Sequence, residues 1–450
     1  MRRFQIGWCG AVVFWLSVAG GVALAAGSSP VPQELIHLYE KKEYQQVLEG
    51  LGKLSPEQAA QPEVRRLKTR SLLKVGNPKD ALAEYEKLAA SRKQEEHPLL
   101  RDVALGFIVV LMKDMREQMR GAAYTALKEI DADDVVPLFE DGLSDGSGPV
   151  RVLAVEGLGR SEAGRRSKKL RGALEDQAGF VKARAVKALG KSGDKSVIPL
   201  IETAAKDELA TVRIAAQAAL IRLGRKEAWE DLRKSAEVPN PEDRAEALRA
   251  MAELRDQRGA PIMKELLDYQ QPSVRAAAAR GLGYLDRKEF RPQIEKLLKD
   301  PVAPVRESGA AALAELGGEE SVPALVELLR DGAVTVRAAA AAALLQLGQP
   351  FDVVGPTVRA LAQQNDTAAR SSAAYALGKA TRFNRDGAIA LLSSLAADTL
   401  PGPKVVALRS LGHIGNEAMV PDFREALHDE NEAVRATAAG ALIHLLPVKK

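Results

Sequence analysis

The sequence predicts an all-α protein, an α-solenoid of stacked antiparallel helix pairs, and three observations lead to this prediction. Basic residues recur at intervals of 31 to 34 along most of the 450-residue chain. A leucine or methionine follows each of them by seven positions, and in seven copies a proline precedes the basic residue by 14 positions. Self-similarity at a period between 20 and 50 residues is typical of stacked repeat architectures, so the chain is expected to hold eleven copies of one unit.

The basic residue fixes the register of the units. Eight copies follow one another at an interval of 31 without a slip, and three more follow after steps of 33, 34 and 31. The eleven residues are Arg120, Arg151, Lys182, Arg213, Arg244, Arg275, Arg306, Arg337, Arg370, Lys404 and Arg435.

Residues 1–25 are predicted to be a secretory signal peptide. A short basic start precedes an apolar stretch, and Ala23 and Ala25 place small residues at both recognition positions before a cleavage point at Ala26. The alternative is an uncleaved membrane anchor, because the apolar run is nearly long enough to span a bilayer. Either way, the body of the protein is expected to be periplasmic or otherwise exported, with no stable membrane insertion after cleavage.

Charge and cysteine usage exclude several classes of function. The chain carries 64 basic and 60 acidic residues, a formal net charge of +4, and cleavage would remove two of the positive charges, Arg2 and Arg3. Such a near-neutral balance does not indicate a nucleic-acid partner. Cys9 lies inside the apolar segment and is the sole cysteine of the sequence, so a mature chain would lack disulfides and cysteine metal ligands.

Residues 30–97 are predicted to form a separate helical region. A shift of 34 residues superimposes its apolar positions, and 34 residues is the tetratricopeptide period. The stretch LLKVGNPKDALAEYEKLA resembles the tetratricopeptide hinge, with Gly76 ending one helix and Pro78 starting the next. This resemblance implies that Ala81 and Tyr85 are packing residues.

Residues 98–450 are predicted to be units of two helices each. In the best-defined copy, Ser321 is expected to cap the first helix and VRAAAAAALLQLG to form the second, which ends at Gly348. The alanines favour helix and let neighbouring helices approach closely. Prolines in the first turn mark the starts of first helices, where the backbone N–H lacks an intrahelical partner; they are Pro137, Pro199, Pro261, Pro292, Pro323, Pro356 and Pro421.

These units resemble HEAT repeats, specifically the short bacterial variety also seen in phycobilin lyases. The resemblance covers about residues 99 to 446. It implies a solenoid whose first helices line the convex side and whose second helices line the concave side. It also implies the usual work of such repeats, which is to hold other proteins.

Eight of the eleven units carry an aspartate six residues before the basic residue. Because a residue present in most units serves the stack, these carboxylates are predicted to tie the turns of adjacent units together through hydrogen bonds to backbone and guanidinium groups. They are Asp114, Asp145, Asp176, Asp207, Asp300, Asp331, Asp398 and Asp429.

Catalytic and cofactor-binding motifs are missing from the sequence. None of the five histidines precedes a glutamate, so the His-Glu pairs of di-iron HEAT-like hydroxylases are absent, as are a metalloprotease helix, a phosphate-binding glycine loop and a nucleophile elbow. The sequence therefore predicts a non-catalytic scaffold or adaptor for protein partners, without cofactor or metal. The alternative is a bilin-lyase-like protein that handles a chromophore, although export argues against it.

Partner binding is expected where the units differ. Positions five and nine after the basic residue should face solvent on the concave side, and there the sequence is basic with two tyrosines; the central residues are Arg280, Tyr284, Tyr375, Lys379 and Arg409. Tyrosine and arginine are enriched at binding hot spots, which favours this stripe as the partner surface. The alternative is a solvated face without function.

A second candidate surface lies where the period lengthens. The extra residues fall in two consecutive inter-unit loops, GQPFD and GKATRFNRDG, and insertions in repeat arrays map to one face, often the binding face. Phe351 and Phe383 are the candidate contact residues there, with Arg382 and Arg385 beside the latter. Alternatively, each phenylalanine only staples the helix that follows.

Overall fold

The computed structural model describes residues 30–92, 95–130 and 133–446, and within these ranges every regular element is a helix. The predicted signal peptide lies outside the described residues. The chain divides into two compact units, Met1–Leu99 and Leu100–Lys450. No helix of the described ranges is long and apolar enough to cross a bilayer.

The described part of the first unit, before residue 93, contains five helices. They are α1 (Gln33–Glu40), α2 (Tyr44–Leu51), α3 (Pro56–Ala59), α4 (Pro62–Lys74) and α5 (Pro78–Arg92). Gly76 has a φ of +78°, a conformation that glycine adopts without strain, and it separates α4 from α5 as the hinge pattern predicts. Ala81 and Tyr85 are fully buried, which agrees with the packing roles inferred for them.

The second unit is a series of helix pairs. From residue 97 onward the helices are α6 (His97–Leu111), α7 (Glu117–Leu127), α8 (Val136–Gly142), α9 (Gly148–Leu158), α10 (Glu162–Arg165), α11 (Lys168–Gly172), α12 (Gly179–Gly190), α13 (Ile198–Ala204), α14 (Ala210–Arg222), α15 (Ala228–Ser235), α16 (Pro241–Leu254), α17 (Gly259–Glu265), α18 (Pro272–Tyr284), α19 (Arg291–Lys296), α20 (Ala303–Leu316), α21 (Val322–Leu328), α22 (Val334–Gln346), α23 (Phe351–Ala362), α24 (Thr367–Leu377), α25 (Arg385–Ala396), α26 (Pro401–Ile414), α27 (Val420–Ala426) and α28 (Glu432–Leu445).

Short 3₁₀ turns extend or precede several first helices. They span Asp133–Val135, Ala173–Glu175, Lys195–Val197, Leu266–Asp268, Lys288–Phe290, Leu297–Lys299 and Glu417–Met419. Most of the repeat prolines lie at the start of a helix, as predicted. Pro356 does not, because α23 begins five residues earlier, at Phe351, and this proline sits inside it.

Second helices form the packed inner layer of the second unit. The anchor residue seven positions after each basic residue is buried in all eleven units, with at most 7% of its surface exposed. Small residues lie where neighbouring helices approach closely. A Cβ on Gly283 would lie 2.9 Å from the Cα of Ala312, and one on Gly190 would lie 2.6 Å from the Cβ of Ala219. The alanine-rich composition is thus a requirement of helix-to-helix distance.

The basic residues and the aspartates form a ladder between adjacent units, as predicted. Arg151 is typical: its Nη1 donates to the carbonyl oxygens of Asp145 and Gly146 in its own turn, at 2.9 and 3.3 Å. Its Nε and Nη2 donate to both carboxylate oxygens of Asp176 in the next unit, at 2.6 and 2.8 Å. The same pairing joins Arg120 to Asp145, Lys182 to Asp207, Arg275 to Asp300, Arg306 to Asp331, Arg370 to Asp398 and Lys404 to Asp429.

Ser321 does not cap α21, contrary to the prediction. Its backbone is helical and its side chain makes no cap hydrogen bond. Instead the buried hydroxyl donates to Glu295 at 2.7 Å and accepts from Arg291 at 3.0 Å. The tertiary partners in the preceding unit outcompete the local cap, so this serine joins units.

The second unit closes on itself. Each second helix packs against the next, from α7 through α28, and α28 packs in turn against α7. At this seam Arg116 donates to Glu432 at 2.5 Å, and Arg101 donates to the carbonyl oxygens of Ile443 and Leu446 at the end of α28. The eleven units therefore form a ring, with the second helices around its inner opening.

The curvature at the seam matches the curvature elsewhere. Lys187 forms an ion pair with Glu253, two units away, across the small side chain of Ala218. Around the seam, Glu129 pairs with His413, also two units away, across Gly440. Side chains of alternate units can meet only on the inside of a tightly curved wall, so the closure continues the same arc.

Candidate functional site

The predicted concave stripe lies on the inner wall of the ring. Arg280 and Tyr284 are exposed on α18, and Tyr375 and Lys379 are exposed on α24 and directly after it. Tyr284 has 40% of its surface exposed and Tyr375 has 59%, large values for aromatic side chains on a helix whose other face is core. Four of the five stripe residues thus face the opening.

Each of these cations is associated with the tyrosine on its own helix face. The Nη2 of Arg280 lies 3.5 Å from the hydroxyl of Tyr284, and the Nζ of Lys379 lies 5.3 Å from the ring centroid of Tyr375. Within the described residues neither cation forms an ion pair with a carboxylate. The two positive charges are therefore available to a ligand.

The inner wall between these two pairs is lined by small side chains. The units that separate them carry Ala311 and Ala342 at the same position, and both alanines are half-buried. Beside them Gln346 donates weakly to Glu315, at 3.4 Å. The arrangement is two cation and tyrosine pairs flanking a floor of small side chains.

Arg409, the fifth stripe residue, lies at the seam. Its Nε is 3.5 Å from Oε1 of Glu129, and His413 donates to the other oxygen of this carboxylate at 3.0 Å. Burial alone would raise the pKa of Glu129, but the hydrogen bond from His413 and the charge of Arg409 lower it below its ordinary value. The structure places Arg409 in the closure of the ring rather than beside the exposed tyrosines.

A second basic cluster lies on α12 and α14. Arg222 donates to the backbone carbonyl of Glu253 at 3.0 Å, and Lys187 takes the carboxylate of the same residue. Burial lowers the pKa of Lys191, and the positive charge of Lys187 lowers it further. The single carboxylate here leaves the cluster with excess positive charge.

The two predicted loop phenylalanines have different surroundings. Phe351 is half-buried at the start of α23, and a Cβ on Gly387 would lie 2.4 Å from its ring. Phe383 has 68% of its surface exposed, with the guanidinium of Arg382 stacked at 4.8 Å from its ring centroid. Phe351 is thus a packing residue, whereas Phe383 is presented to solvent.

The longer loop is held firmly against its neighbour. The buried side chain of Asn384 donates to the carbonyl oxygens of Leu345 and Gln349, at 3.0 and 2.9 Å. Arg385 donates to the carbonyl of Gly415 at 2.7 Å. The exposure of Phe383 is therefore built on a fixed turn, and the two lengthened loops are in contact as their adjacency in sequence suggests.

Sequence reasoning missed the residues that close the ring. Arg101, Arg116 and Glu129 belong to the first repeat unit and contact the last units more than 280 positions away. Periodicity carries no signal for these contacts, because the partners lie at the opposite end of the array. Gly440 is the one sequence feature that points to the closure, because every other unit has a larger side chain at this position.

The described residues hold no group of three or more histidine, cysteine or acidic side chains placed to bind a metal. Two small pockets, both partly open to solvent, each offer about 10 Å³, the room of about one water molecule. One lies beneath Phe139 and the other at the seam beside Glu129 and His444.

Helix pairs stacked with an Arg–Asp ladder define a repeat scaffold of the α-solenoid class. The family described as HEAT repeats matches residues 136–221, 167–252, 260–346 and 390–445, which together exceed half of the chain. The chain therefore belongs to the HEAT-repeat family. The PBS lyase HEAT-like repeat also matches, over residues 243–269.

Several solved structures are similar to the chain at low identity. Human deoxyhypusine hydroxylase in complex with glycerol is 20% identical, with 56% of this chain and 97% of that chain covered and a TM-score of 0.31. The CpcE–CpcF complex of phycocyanin lyase from Nostoc sp. PCC7120 is 20% identical, with coverage of 58% and 94% and a TM-score of 0.31. Kap121p is 14% identical, with coverage of 92% and 55% and a TM-score of 0.37. No curated protein matches the sequence.

Proposed function

We propose that the protein is an exported, non-catalytic scaffold or adaptor that binds protein partners through its HEAT-repeat ring. The observation that carries this proposal is the pair of exposed tyrosines, Tyr284 and Tyr375, each beside a cation without a carboxylate partner. Tyrosine and arginine combine large contact area with hydrogen bonding and dominate binding energy at protein interfaces. Because both rings are exposed on the inner wall, they support binding rather than stacking.

The use of acid and base side chains supports a role without catalysis. Apart from Asp114, the ladder aspartates are bound to arginine or lysine of the preceding unit, and the half-buried Glu129 is bound to His413. A general acid or base must be free to exchange protons with a substrate. In this protein the ladder aspartates and Glu129 instead bind residues that join the units.

Export is proposed from the sequence of the first 25 residues. N-terminal sequencing of native protein should begin at Ala26, and cell fractionation should recover it outside the cytoplasm. Native protein that begins at Met1 and stays in the cytoplasm would contradict this part of the proposal.

The test of partner binding is capture with matched variants. The purified chain is immobilised and exposed to the exported fraction of its own cells, and captured proteins are identified by mass spectrometry. The variant Arg280→Ala/Tyr284→Ala/Tyr375→Ala should lose the partner, whereas Lys296→Ala/Lys299→Ala, on the exposed outer layer, should retain it. Equal capture by both would remove the inner wall from consideration and leave Phe383 or the tetratricopeptide-like region as the binding site.

A bilin-lyase-like role remains the second candidate, because the lyase-type repeat matches residues 243–269. Mixing the purified protein with a bilin distinguishes the two proposals. A scaffold leaves the visible spectrum of the bilin unchanged, whereas a chromophore-handling protein shifts it.

A further inference from the structure

We propose that the inner opening of the ring takes a single acidic segment of a partner protein, no wider than one α-helix, between the Arg280–Tyr284 pair and the Tyr375–Lys379 pair. This inference rests on the proposed function, since it assumes that the inner wall binds protein. It adds the form and the charge of the part that is bound.

The size of the opening follows from the closure. Eleven second helices packed at about 9 to 10 Å from one another give a perimeter of about 100 Å, or a circle about 30 Å across through the helix axes. Helix radii of about 5 Å on either side leave an opening of about 20 Å. One α-helix, about 10 to 12 Å wide with its side chains, fits with room for contacts. A folded domain, with a radius of gyration of about 13 Å for 100 residues, does not.

The charge of the opening favours an acidic occupant. The two inward positions of each unit carry eight basic and four acidic residues in total. The basic ones are Arg160, Lys187, Lys191, Arg222, Arg249, Arg280, Lys379 and Arg409, and the acidic ones are Glu129, Glu156, Glu253 and Glu315.

The four acidic residues are all engaged within the wall. Glu129 binds His413, Glu156 binds Lys128 at 2.7 Å, Glu253 binds Lys187, and Glu315 accepts from Gln346. Glu156 and Glu253 are thus paired with lysines and Glu129 with His413 and Arg409, while Glu315 has only a neutral partner; over the inward positions the surplus is positive. Complementary charge across an interface speeds encounter and selects partners, so carboxylates on the occupant are expected to contact these cations.

The position of the free cations sets where the occupant lies. Arg280 and Lys379 are three units apart, and the two units between them carry the small residues Ala311 and Ala342 on the inner wall. An inserted helix can therefore approach the wall closely at these alanines. The two tyrosine rings then flank it, and each cation reaches a carboxylate. This part of the wall thus combines exposed tyrosine rings with cations that have no carboxylate partner in the part of the chain that the structure describes.

The test uses a fluorescein-labelled helical peptide of glutamate and alanine, with a lysine and alanine peptide as its counterpart. Fluorescence anisotropy should show saturable, salt-sensitive binding of the acidic peptide and none of the basic one. Arg280→Glu/Lys379→Glu should weaken binding by at least about tenfold. Lys296→Glu/Lys299→Glu makes the same change of net charge on the outer layer and should alter the affinity by less than about twofold.

Insertion of the segment through the closed ring is tested with the same acidic peptide carrying a folded domain at each end. A ring whose seam is closed by a bismaleimide cross-link between Arg116→Cys and Glu432→Cys should exclude this capped peptide and still bind the free-ended one. Equal binding of both peptides by the locked ring, equal loss in the inner and outer variants, or no binding of the acidic peptide would each overturn the inference. Native partner capture that persists in Arg280→Glu/Lys379→Glu would reject the inference while leaving the proposed function intact.

Discussion

Two kinds of contact join neighbouring units of the ring. Between most consecutive units, an arginine binds the carbonyl oxygens of its own turn and the aspartate of the next unit, as Arg275 does with Tyr269, Gln270 and Asp300. Small residues then let the second helices approach, as Gly283 and Ala312 do. Where the aspartate is present, the interface is the same from one unit to the next because the residues recur.

The seam between α28 and α7 uses other residues for the same purpose. The two ladder residues that would meet there are satisfied locally, since Asp114 binds Arg116 at 2.8 Å and Arg435 lies 3.9 Å from Glu432. Arg116 bridges to Glu432 instead. This contact is 56% and 33% exposed on its two sides, far more than the ladder pair of Arg151 and Asp176 at 7% and 10%.

Because of this difference, the ladder interfaces and the seam are expected to contribute differently to stability. Buried ladder pairs and core anchors hold each unit to the next, so breaking one should cost several kcal/mol. Exposed ion pairs contribute about 0 to 1 kcal/mol, so the Arg116–Glu432 pair is expected to stabilise the seam less than a buried ladder pair stabilises its interface. The expectation is a ring that can open at one place without unfolding.

The largest effect is expected from the core of a repeated interface. Leu282 is fully buried, and Leu282→Ala should lower the free energy of unfolding by about 2 to 5 kcal/mol in urea titrations. Its neighbours Arg280 and Tyr284 lie on the same helix but face the opening, so alanine at either should change it by no more than about 0.5 kcal/mol. Equal losses at Leu282 and Arg280 would show that the inward face is part of the stack.

The ladder should give the next largest effect, and one that depends on pH. The Arg151 guanidinium holds the pKa of Asp176 below its ordinary value. A lowered carboxyl pKa stabilises the fold above the unfolded value of 3.8, and this contribution is lost as pH falls through the folded value. Asp176→Asn should therefore cost about 3 kcal/mol at pH 7, because it leaves a buried guanidinium without its counter-charge.

The difference between wild type and Asp176→Asn should shrink as pH falls from 5 to below 3. Asp268→Asn, at an exposed aspartate three units away, serves as the control and should leave the acid limb of the stability curve unchanged. A difference independent of pH would mean that the pair contributes by shape rather than by charge.

A smaller effect is expected at the seam. A Cβ on Gly440 would lie 2.6 Å from the carbonyl oxygen of Ala126, so Gly440→Ala forces α28 away from α7 at a cost of about 1 to 3 kcal/mol. Hydrogen exchange should then accelerate in α7 and α28 and stay unchanged in α18 and α20. Gly172→Ala is the matched control, because a Cβ there meets nothing within 4 Å. Unchanged protection at α7 would argue against the closure.

The fold was predictable because its determinants repeat. Eleven copies of a basic residue and a buried anchor, with a proline before the basic residue in seven of them, specify helix pairs in register, and even the role of the aspartates follows from their recurrence. Pro356 and Ser321 are the exceptions. At Pro356 the helix starts early in a lengthened loop, and at Ser321 partners from the preceding unit replace the cap.

The candidate site was predictable only in part. Helical spacing correctly brought Arg280, Tyr284, Tyr375 and Lys379 to an exposed face, but the same spacing could not distinguish Arg409, whose partner Glu129 lies in the first unit. Whether an array closes depends on small angles accumulated over eleven interfaces. No single segment of sequence encodes that sum.

The most direct measurement of the ring is cross-linking across the seam. In a chain with Cys9→Ser, the pair Arg116→Cys/Glu432→Cys is treated with a short bismaleimide and the products are mapped by mass spectrometry. The pair Gln257→Cys/Arg287→Cys joins adjacent units, whose side chains hydrogen-bond at 3.0 Å, and provides the reference yield. A closed ring predicts intramolecular cross-linking at 116–432 with a yield close to this reference. An open solenoid of eleven units would separate the two positions by several tens of Å, at about 9 to 10 Å per unit, and only intermolecular products would form, which would contradict the closure.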